Sequence, residues 1–148
     1  YFQALRDTFG KDCEVLTVLA PDGVPISSVL SFYFRDEVLP YYAGDAEAAR
    51  HLAGNDFKYW ALMRQACARG LKVFDYGRSK QGTGSFSFKK NWGFEPRPLH
   101  YEYCLYKRDA IPQNNPANAK YRLFIESWRR MPIGLANWLG PHIVRNLG

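Results

Sequence analysis

The chain has 148 residues, of which 47% are hydrophobic and 16% are aromatic, and its formal net charge at pH 7 is +6. This length is enough for one domain with a substantial core, and the aromatic content argues against an intrinsically disordered protein. The sequence contains no apolar run near the roughly 20 residues of a membrane span, so a membrane-spanning class is disfavoured.

The first part of the chain is predicted to form an antiparallel meander of three strands, because short turn sequences separate three apolar runs. The predicted strands are Glu14 to Ala20, Ile26 to Phe34 and Val38 to Ala43. Tyr42 lies near the end of the third strand. Its side chain is a candidate for lining a cleft, and the alternative is packing at the rim of the sheet.

A polar, alanine-rich connection from Gly44 to Gly54 leads into a long predicted helix. Asn55 or Asp56 is expected to cap the start of this helix, and Gly70 to end it. The apolar side of the helix is predicted to consist of Phe57, Trp60, Ala61, Met63 and Cys67.

The next segment alternates strands with a short helix. Leu71 to Tyr76 is predicted to be a buried strand, because apolar residues occupy both of its faces. Ser85 to Trp92 is predicted to form two helical turns that stop at Gly93, and Leu99 to Tyr106 is predicted to be another strand. The order of elements predicts a mixed α/β fold (α+β mixed sheet).

Four cations lie near the predicted carboxyl end of the strand Leu71 to Tyr76, namely Arg78, Lys80, Lys89 and Lys90. Ligands favour such strand ends in open sheets. Arg78 and Lys80 are candidates for binding phosphate, nucleotide-sugar or carboxylate groups, or they belong to a solvated loop. Asp75 is a candidate for orienting Arg78 or a substrate amine, or for accepting bonds from loop amides.

The cysteines and histidines give no support for a metal site. Cys13, Cys67 and Cys104 lie in apolar runs without a CxxC pattern, which favours buried free thiols in a reducing compartment over metal ligands or a disulfide. The three histidines are scattered singly, so a His-based catalytic triad is not indicated either.

Two segments resemble a known superfamily. The run Phe88 to Pro96, FKKNWGFEP, looks like the F-Y-x-x-x-G-F-x-P ending of a helix in GNAT acyltransferases. Its first six residues resemble the F-K-x-x-F/W-G signature of the FemAB-like branch, and Phe74 to Arg78, FDYGR, resembles that branch's D-F/Y-G-R. The whole pattern is most similar to FemAB-like proteins associated with PEP-CTERM/exosortase systems.

The resemblance implies a GNAT-like fold and an acyl or aminoacyl transferase, forming the C-terminal half of a FemAB-like protein. Its acceptor would be an amine-bearing cell-envelope or exopolysaccharide precursor, and its donor would be acyl-CoA or aminoacyl-tRNA, with no metal. Lys89 would be the catalytic residue, stabilising the oxyanion. As an exposed lysine it would contribute little to folding, so Lys89→Met is expected to change stability by no more than ~0.5 kcal/mol.

Two alternatives stay open beside this interpretation. An acetyl-CoA N-acetyltransferase is disfavoured, because the GNAT pyrophosphate loop, Gln/Arg-x-x-Gly-x-Gly/Ala, has no counterpart between Gly44 and Asn55. Weak or no acetyl-CoA binding is therefore expected. The other alternative is a non-catalytic module that binds a glycan precursor.

Most of the net positive charge lies in the tail, since residues 107–148 hold seven Lys or Arg against two Asp or Glu. We predict a GNAT-like domain over residues 1–110, and a linker and basic helical tail, packed on the domain, over residues 111–148. The tail is expected to attract tRNA or an anionic membrane surface, or to be a solvated face. A cytoplasmic location is expected, with peripheral association at the inner membrane face as an option.

Overall fold

Three antiparallel strands in the predicted order form the centre of the sheet, in a computed structural model that describes residues 1–106, 109–111 and 119–144. Their bounds are β1 Cys13–Leu19, β2 Pro25–Phe34 and β3 Glu37–Asp45. Because successive residues of a strand point to opposite faces, Val29 and Ser31 of β2 face one side of the sheet, whereas Leu30 and Phe32 face the other. The meander predicted from the sequence is confirmed.

The fourth strand, β4, is shorter than predicted. It comprises only Val73–Phe74 and runs parallel to β3, pairing with Glu37 and Val38. Its neighbours alternate, with Tyr76 buried and Asp75 exposed. The prediction of a strand buried on both faces was therefore wrong, because one face of this apolar run is covered by the protein and the other, which includes Val73, is in solvent.

Helix α3, Gly54–Ala68, packs against β1, β2 and β3 through a stripe that differs from the predicted one. The buried stripe contains Lys58, Leu62 and Ala66 at four-residue spacing, with Gly54 one turn earlier. The side chains of Phe57 and Trp60 are exposed. The predicted apolar face is displaced by one position from the observed one, because the charged Lys58 was not expected in the core.

The core lies between α3 and the sheet. Its main cluster and a second cluster contain only small and medium aliphatic side chains: Val29, Val38, Leu62 and Ala66 in the first, and Val18, Ile26 and Ala49 in the second. Leu16 packs against both clusters, so they are continuous through β1. Burial of these side chains fixes α3 across the sheet and thereby places its first turn at the end of β3.

Three further helices complete the first part of the fold. These are α1, Phe2–Phe9, which the sequence analysis did not predict, the single turn α2, Ala48–His51, and α4, Gly84–Asn91. Thr83 caps α4 by accepting a hydrogen bond from the Phe86 amide, and Gly93 has the predicted left-handed conformation, with φ +83°.

The chain divides into two compact units, Tyr1–Arg97 and Pro98–Gly148. In the second unit residues 98–106 contain no β-strand, so the predicted strand Leu99 to Tyr106 was wrong. Prolines at positions 96 and 98 remove two backbone donors at the start of this segment, which disfavours a paired strand.

The second unit contains two helices, α5, Ala119–Arg129, and α6, Ile133–Val144. Helix α6 continues through Gly140 and Pro141, although a glycine and a proline usually weaken a helix interior. Apart from Ile111, the predicted linker from Ile111 to Asn118 lies outside the described residues. No helix in the described part of the chain is long and apolar enough to cross a membrane.

The three cysteines differ in their exposure to solvent. Cys13 is buried as predicted, and burial raises the pKa of its thiol. Cys67 and Cys104 are exposed, so the prediction that all three are buried was wrong. Cys67 lies on the outer face of α3, next to the buried Ala66, and was misassigned together with the apolar stripe of that helix.

Candidate functional site

A cavity of about 600 Å³ opens where β3 ends and the chain turns into α2 and α3. The residues that line it come from one continuous segment: Ala43, Gly44, Asp45, Ala46, Glu47, Ala49, Arg50 and Asn55. It forms because the core fixes β3 and α3, while the connection between them passes around the open space. Two carboxylates and one guanidinium lie among the lining side chains.

The floor of this cavity is connected to a buried ion pair. Lys58 of α3 is fully buried, and its ammonium donates a hydrogen bond of 2.8 Å to Oδ1 of Asp45. Ser27, the cross-strand neighbour of Asp45 in the sheet, donates a second hydrogen bond to the same oxygen. Oδ2 accepts no hydrogen bond from the described residues. These two hydrogen bonds therefore hold the Asp45 carboxylate through Oδ1. They thereby also fix the orientation of Oδ2.

The two partners of this ion pair differ in their access to water. The side chain of Asp45 is 35% exposed, whereas that of Lys58 is 0% exposed. Partial burial raises the pKa of Asp45, but the hydrogen bonds from Lys58 and Ser27 outweigh burial, so the net pKa lies below its ordinary value. Asp45 is thus an ionised carboxylate at neutral pH, on the wall of a cavity.

The site residues predicted from the sequence did not include Asp45, Lys58 or Ser27. A signal was present, because Lys58 occupies the position four residues before Leu62 and eight before Ala66 on a helix that needs an apolar stripe there. A lysine at a core position requires a buried partner. The structure shows this partner to be Asp45, two residues beyond the end of the predicted third strand.

The second group of polar residues surrounds the loop that follows β4. Lys89 of α4 donates hydrogen bonds to the backbone carbonyls of Tyr76, Gly77 and Arg78, the latter two at 3.2 Å. These three bonds use all three donors of an ammonium group. Burial lowers the pKa of Lys89, and the nearby Asp75 opposes this effect. Lys89 is therefore half-buried and holds the loop, and is not the exposed side chain expected from the sequence.

The other predicted residues of this region lie around the same loop. Oδ1 of Asp75 accepts a hydrogen bond of 2.7 Å from the Gly77 amide, and the exposed Arg78 follows directly. Lys80 is also exposed, and its backbone carbonyl accepts a hydrogen bond of 2.7 Å from the Thr83 hydroxyl. The structure thus brings Asp75, Arg78 and Lys89 together at one loop, with Lys80 at its far end.

An aromatic cluster lies between the ion pair and this loop. The ring of Tyr59, the neighbour of Lys58 on α3, packs on the rings of Tyr76 and Phe88, with centroids 5.1 and 5.4 Å apart. The ammonium of Lys89 lies 5.6 Å from the centroid of Tyr76. Burial raises the pKa of both Tyr59 and Tyr76, so both phenols are protonated at neutral pH. The hydroxyl of Tyr76 is buried and has no hydrogen-bond partner among the described residues.

Tyr42 lies apart from these two groups. It pairs with Leu30 and therefore points to the sheet face opposite α3. Its hydroxyl forms a hydrogen bond of 2.8 Å with that of Tyr1, and its ring packs on Phe2 of α1. The hydrogen bond with Tyr1 raises the pKa of Tyr42 to about 12.

The two polar groups provide complementary chemistry. The cavity presents a carboxylate, which suits a cationic amine, and the loop presents cations beside a helix start, which suit anionic groups. In the described residues no cluster of three or more His, Cys, Asp or Glu side chains is arranged to hold a metal ion.

More than half of the chain matches a protein-family model. Residues 1–90 match the family model described as Acetyltransferase (GNAT) domain. This range covers the whole meander, α3, β4 and nearly all of α4, and so includes both polar groups. No curated protein matches the chain significantly.

Proposed function

The chain belongs to the acetyltransferase (GNAT) domain family, and from this premise we propose that it transfers an acyl or aminoacyl group to an amine of a cell-envelope or exopolysaccharide precursor. Family membership supports acyl transfer from an acyl donor to an amine acceptor, and the mixed α/β fold is the GNAT-like fold expected from the sequence. The motifs at residues 74–78 and 88–93 support a FemAB-like protein, of which this chain would be the C-terminal half.

The observation that carries the proposal is the ionised Asp45 on the wall of the cavity. An amine acceptor arrives as an ammonium ion, which Oδ2 of Asp45 would bind while Lys58 and Ser27 hold Oδ1. One proton of the bound ammonium passes to solvent water, and the free amine nitrogen then attacks the acyl carbonyl carbon, forming a C–N bond and a tetrahedral oxyanion. As this intermediate collapses, the bond from that carbon to the sulfur of coenzyme A or to the ribose oxygen of tRNA breaks. The leaving thiolate or alkoxide takes the second proton from the nitrogen, which becomes an amide.

Lys89 is proposed to stabilise the oxyanion, with Tyr76 and Tyr59 forming the apolar wall beside it. To do so, the ammonium would exchange one of its two 3.2 Å bonds to loop carbonyls for a bond to the oxyanion. Arg78 and Lys80 would bind phosphate or carboxylate groups of the substrates, with Asp75 shaping the loop through the Gly77 amide. Tyr42 would contribute only through a substrate portion that reaches the α1 face.

The cellular setting follows from the same resemblance. A FemAB-like protein of a PEP-CTERM/exosortase system would act in the cytoplasm on a precursor, with tRNA or an anionic membrane surface as partner of the basic tail. The donor would then be aminoacyl-tRNA or acyl-CoA. Support for this setting comes from the two motifs and from the charge of residues 107–148.

The test is a transfer assay on a set of amine-bearing saccharide and peptide precursors, with Asp45→Asn compared with Asp36→Asn. Asp36 lies in the exposed β2–β3 turn and loses the same charge away from the cavity. We expect kcat/KM for the amine to fall on the order of 10²-fold in Asp45→Asn and by less than about 2-fold in the control. Unchanged kinetics in folded Asp45→Asn would refute the role of this carboxylate.

An acetyl-CoA N-acetyltransferase is the second candidate, because the cavity lies in the same segment in which the resemblance places the pyrophosphate loop. Against it, Asp45 and Glu47 both line the cavity and would repel a pyrophosphate, with Arg50 as the single lining cation. Calorimetry is expected to show weak or no binding of acetyl-CoA. Tight, saturable, stoichiometric binding would favour this candidate over aminoacyl transfer.

A further inference from the structure

The second unit presents apolar side chains to solvent beside arginines. Its exposed large apolar residues are Leu123 and Phe124 on α5 and Ile133, Leu135 and Trp138 on α6, where the side chain of Trp138 is 66% exposed. Arg129 and Arg130 follow at the end of α5 and are exposed as well. Exposed apolar surface of this extent on a small helical unit indicates a binding surface.

The two helices are linked within the unit mainly through Trp128. Trp128 stacks on Phe124, with centroids 5.9 Å apart, and lies 3.9 Å from the position of a Cβ on Gly140 of α6. Trp128, Leu139 and Gly140 are half-buried. Apart from Phe124, the exposed apolar residues take no part in these contacts, so the exposure of Leu123, Ile133, Leu135 and Trp138 needs another explanation.

We propose that the α5–α6 pair, residues 119–144, docks on an anionic lipid surface. Helix α6 contains no charged Asp, Glu, Lys or Arg residue, and Trp138 is of the type that favours the boundary between headgroups and acyl chains. At 12 residues α6 is about 18 Å long, too short for the roughly 30 Å of a bilayer core, so it would lie in the interface.

Charge complementarity favours an anionic lipid surface over two other partners, a second copy of the chain and an RNA. Residues 119–148 hold five Lys or Arg against the single Glu126, so the lipid headgroups that fit are anionic. A second copy of the chain would bring the same arginines face to face and be repelled. An RNA would satisfy the arginines and stack on Trp138, but it would gain nothing from the aliphatic Leu123, Ile133 and Leu135.

The experiment is sedimentation of the full chain with vesicles of phosphatidylcholine alone or of phosphatidylcholine with phosphatidylglycerol. We expect binding only to the anionic vesicles, weakening as salt is added. Arg129→Gln with Arg130→Gln should lower the partition coefficient roughly 30-fold. The matched control, Lys11→Gln with Lys72→Gln, removes the same charge from exposed positions of the first unit and should change it less than about 3-fold.

A second pair of variants tests the apolar part of the surface. Trp138→Ser should lower vesicle binding on the order of 10-fold. The control is Trp60→Ser, which removes a tryptophan that is 45% exposed on α3 and should leave binding unchanged. Circular dichroism of each variant confirms that the helices are retained.

Three outcomes would overturn the proposal. The first is no binding to anionic vesicles, and the second is equal binding to neutral ones. The third is that a single-stranded homopolymer RNA binds the chain, displaces it from vesicles and loses affinity in Trp138→Ser, which would assign the surface to nucleic acid. The assay does not depend on acyl transfer, so its failure and that of the proposed function are distinguishable.

Discussion

Removing either partner of the ion pair between Lys58 and Asp45 is expected to lower the free energy of unfolding, but by different amounts. Removing Asp45 leaves a fully buried ammonium without its counter-charge, which costs about 3–5 kcal/mol. Removing Lys58 leaves a carboxylate that is partly exposed and can be hydrated, so about 1–3 kcal/mol is expected. We therefore predict that Asp45→Asn destabilises the protein more than Lys58→Met, as measured by urea unfolding.

The double variant provides the control for this prediction. With both charges removed, the penalty of an unpaired buried ion disappears, so Lys58→Met with Asp45→Asn should be more stable than Asp45→Asn alone. Equal costs for the two single variants, or costs that simply add, would show that the pair is not buried as described.

The contribution of the same ion pair to the free energy of unfolding is expected to depend on pH. The pKa of Asp45 is depressed in the folded state, so its contribution to stability is present above the unfolded value of about 3.9 and is lost as pH falls through the lower folded value. The difference in unfolding free energy between the native chain and Asp45→Asn should therefore be constant near neutral pH and shrink towards about pH 3. A difference that grows on acidification would contradict the depressed pKa.

Lys89 is the residue for which the structure changes the expected stability most. Because its ammonium serves three loop carbonyls, Lys89→Met should cost about 1–3 kcal/mol of unfolding free energy, against the ~0.5 kcal/mol expected for an exposed lysine. Lys90→Met is the matched control, since Lys90 is exposed on the same helix, and should stay within about 0.5 kcal/mol. Equal, small effects in denaturation curves of both variants would restore the expectation from the sequence.

At the scale of elements, the start of α3 stores a local strain. Ala53 precedes the helix in the left-handed region, at φ +51°, where a Cβ is unfavourable by roughly 1 kcal/mol. We predict that Ala53→Gly raises the unfolding free energy by about 0.5–1 kcal/mol. In Ala61→Gly the same change inside the helix should lower it by about 1 kcal/mol. If thermal denaturation shows that both variants are destabilised, the left-handed start of α3 is refuted.

The strands that were predicted correctly are those whose pattern is local. Turn residues and alternating apolar residues specify β1, β2 and β3 without knowledge of distant contacts. The errors arose where tertiary context decides. Val73 and Phe74 form a strand only because β3 accepts them at its edge, and the buried face of α3 depends on Asp45 neutralising Lys58 thirteen residues away.

The candidate site follows the same division. Asp75, Arg78, Lys80 and Lys89 were predicted as site residues because they lie at a strand end, on a glycine-rich loop and on the helix after it, a pattern that is visible along the chain, and their role stays a prediction. The cavity beside Asp45 was missed, because its wall is made by a segment without a motif. The hydrogen bonds of the Lys89 ammonium also depend on the orientation of the loop carbonyls. No sequence pattern predicts that orientation.

At the scale of the whole molecule, most of the net positive charge and the candidate site lie in different parts of the sequence. The first unit, residues 1–97, carries 13 Lys or Arg against 11 Asp or Glu, so the unit that holds both polar groups is close to neutral, whereas residues 98–148 carry seven against three. A unit so close to neutral repels neither an anionic donor nor a cationic amine strongly.

The prediction that the tail packs on the domain leads to a truncation experiment. We predict that Tyr121, Phe124, Trp128 and Leu139 would make this contact, with the arginines outside. If this is correct, deleting residues 119–148 uncovers apolar surface on the remaining chain, which should lower the melting temperature and promote aggregation. Trp128→Ser in the full chain should show part of this effect, and Ile133→Ser, which alters a side chain that is 78% exposed, should not. A truncated chain that stays monomeric in sedimentation, with an unchanged melting temperature, would show that residues 119–148 form an independent arm.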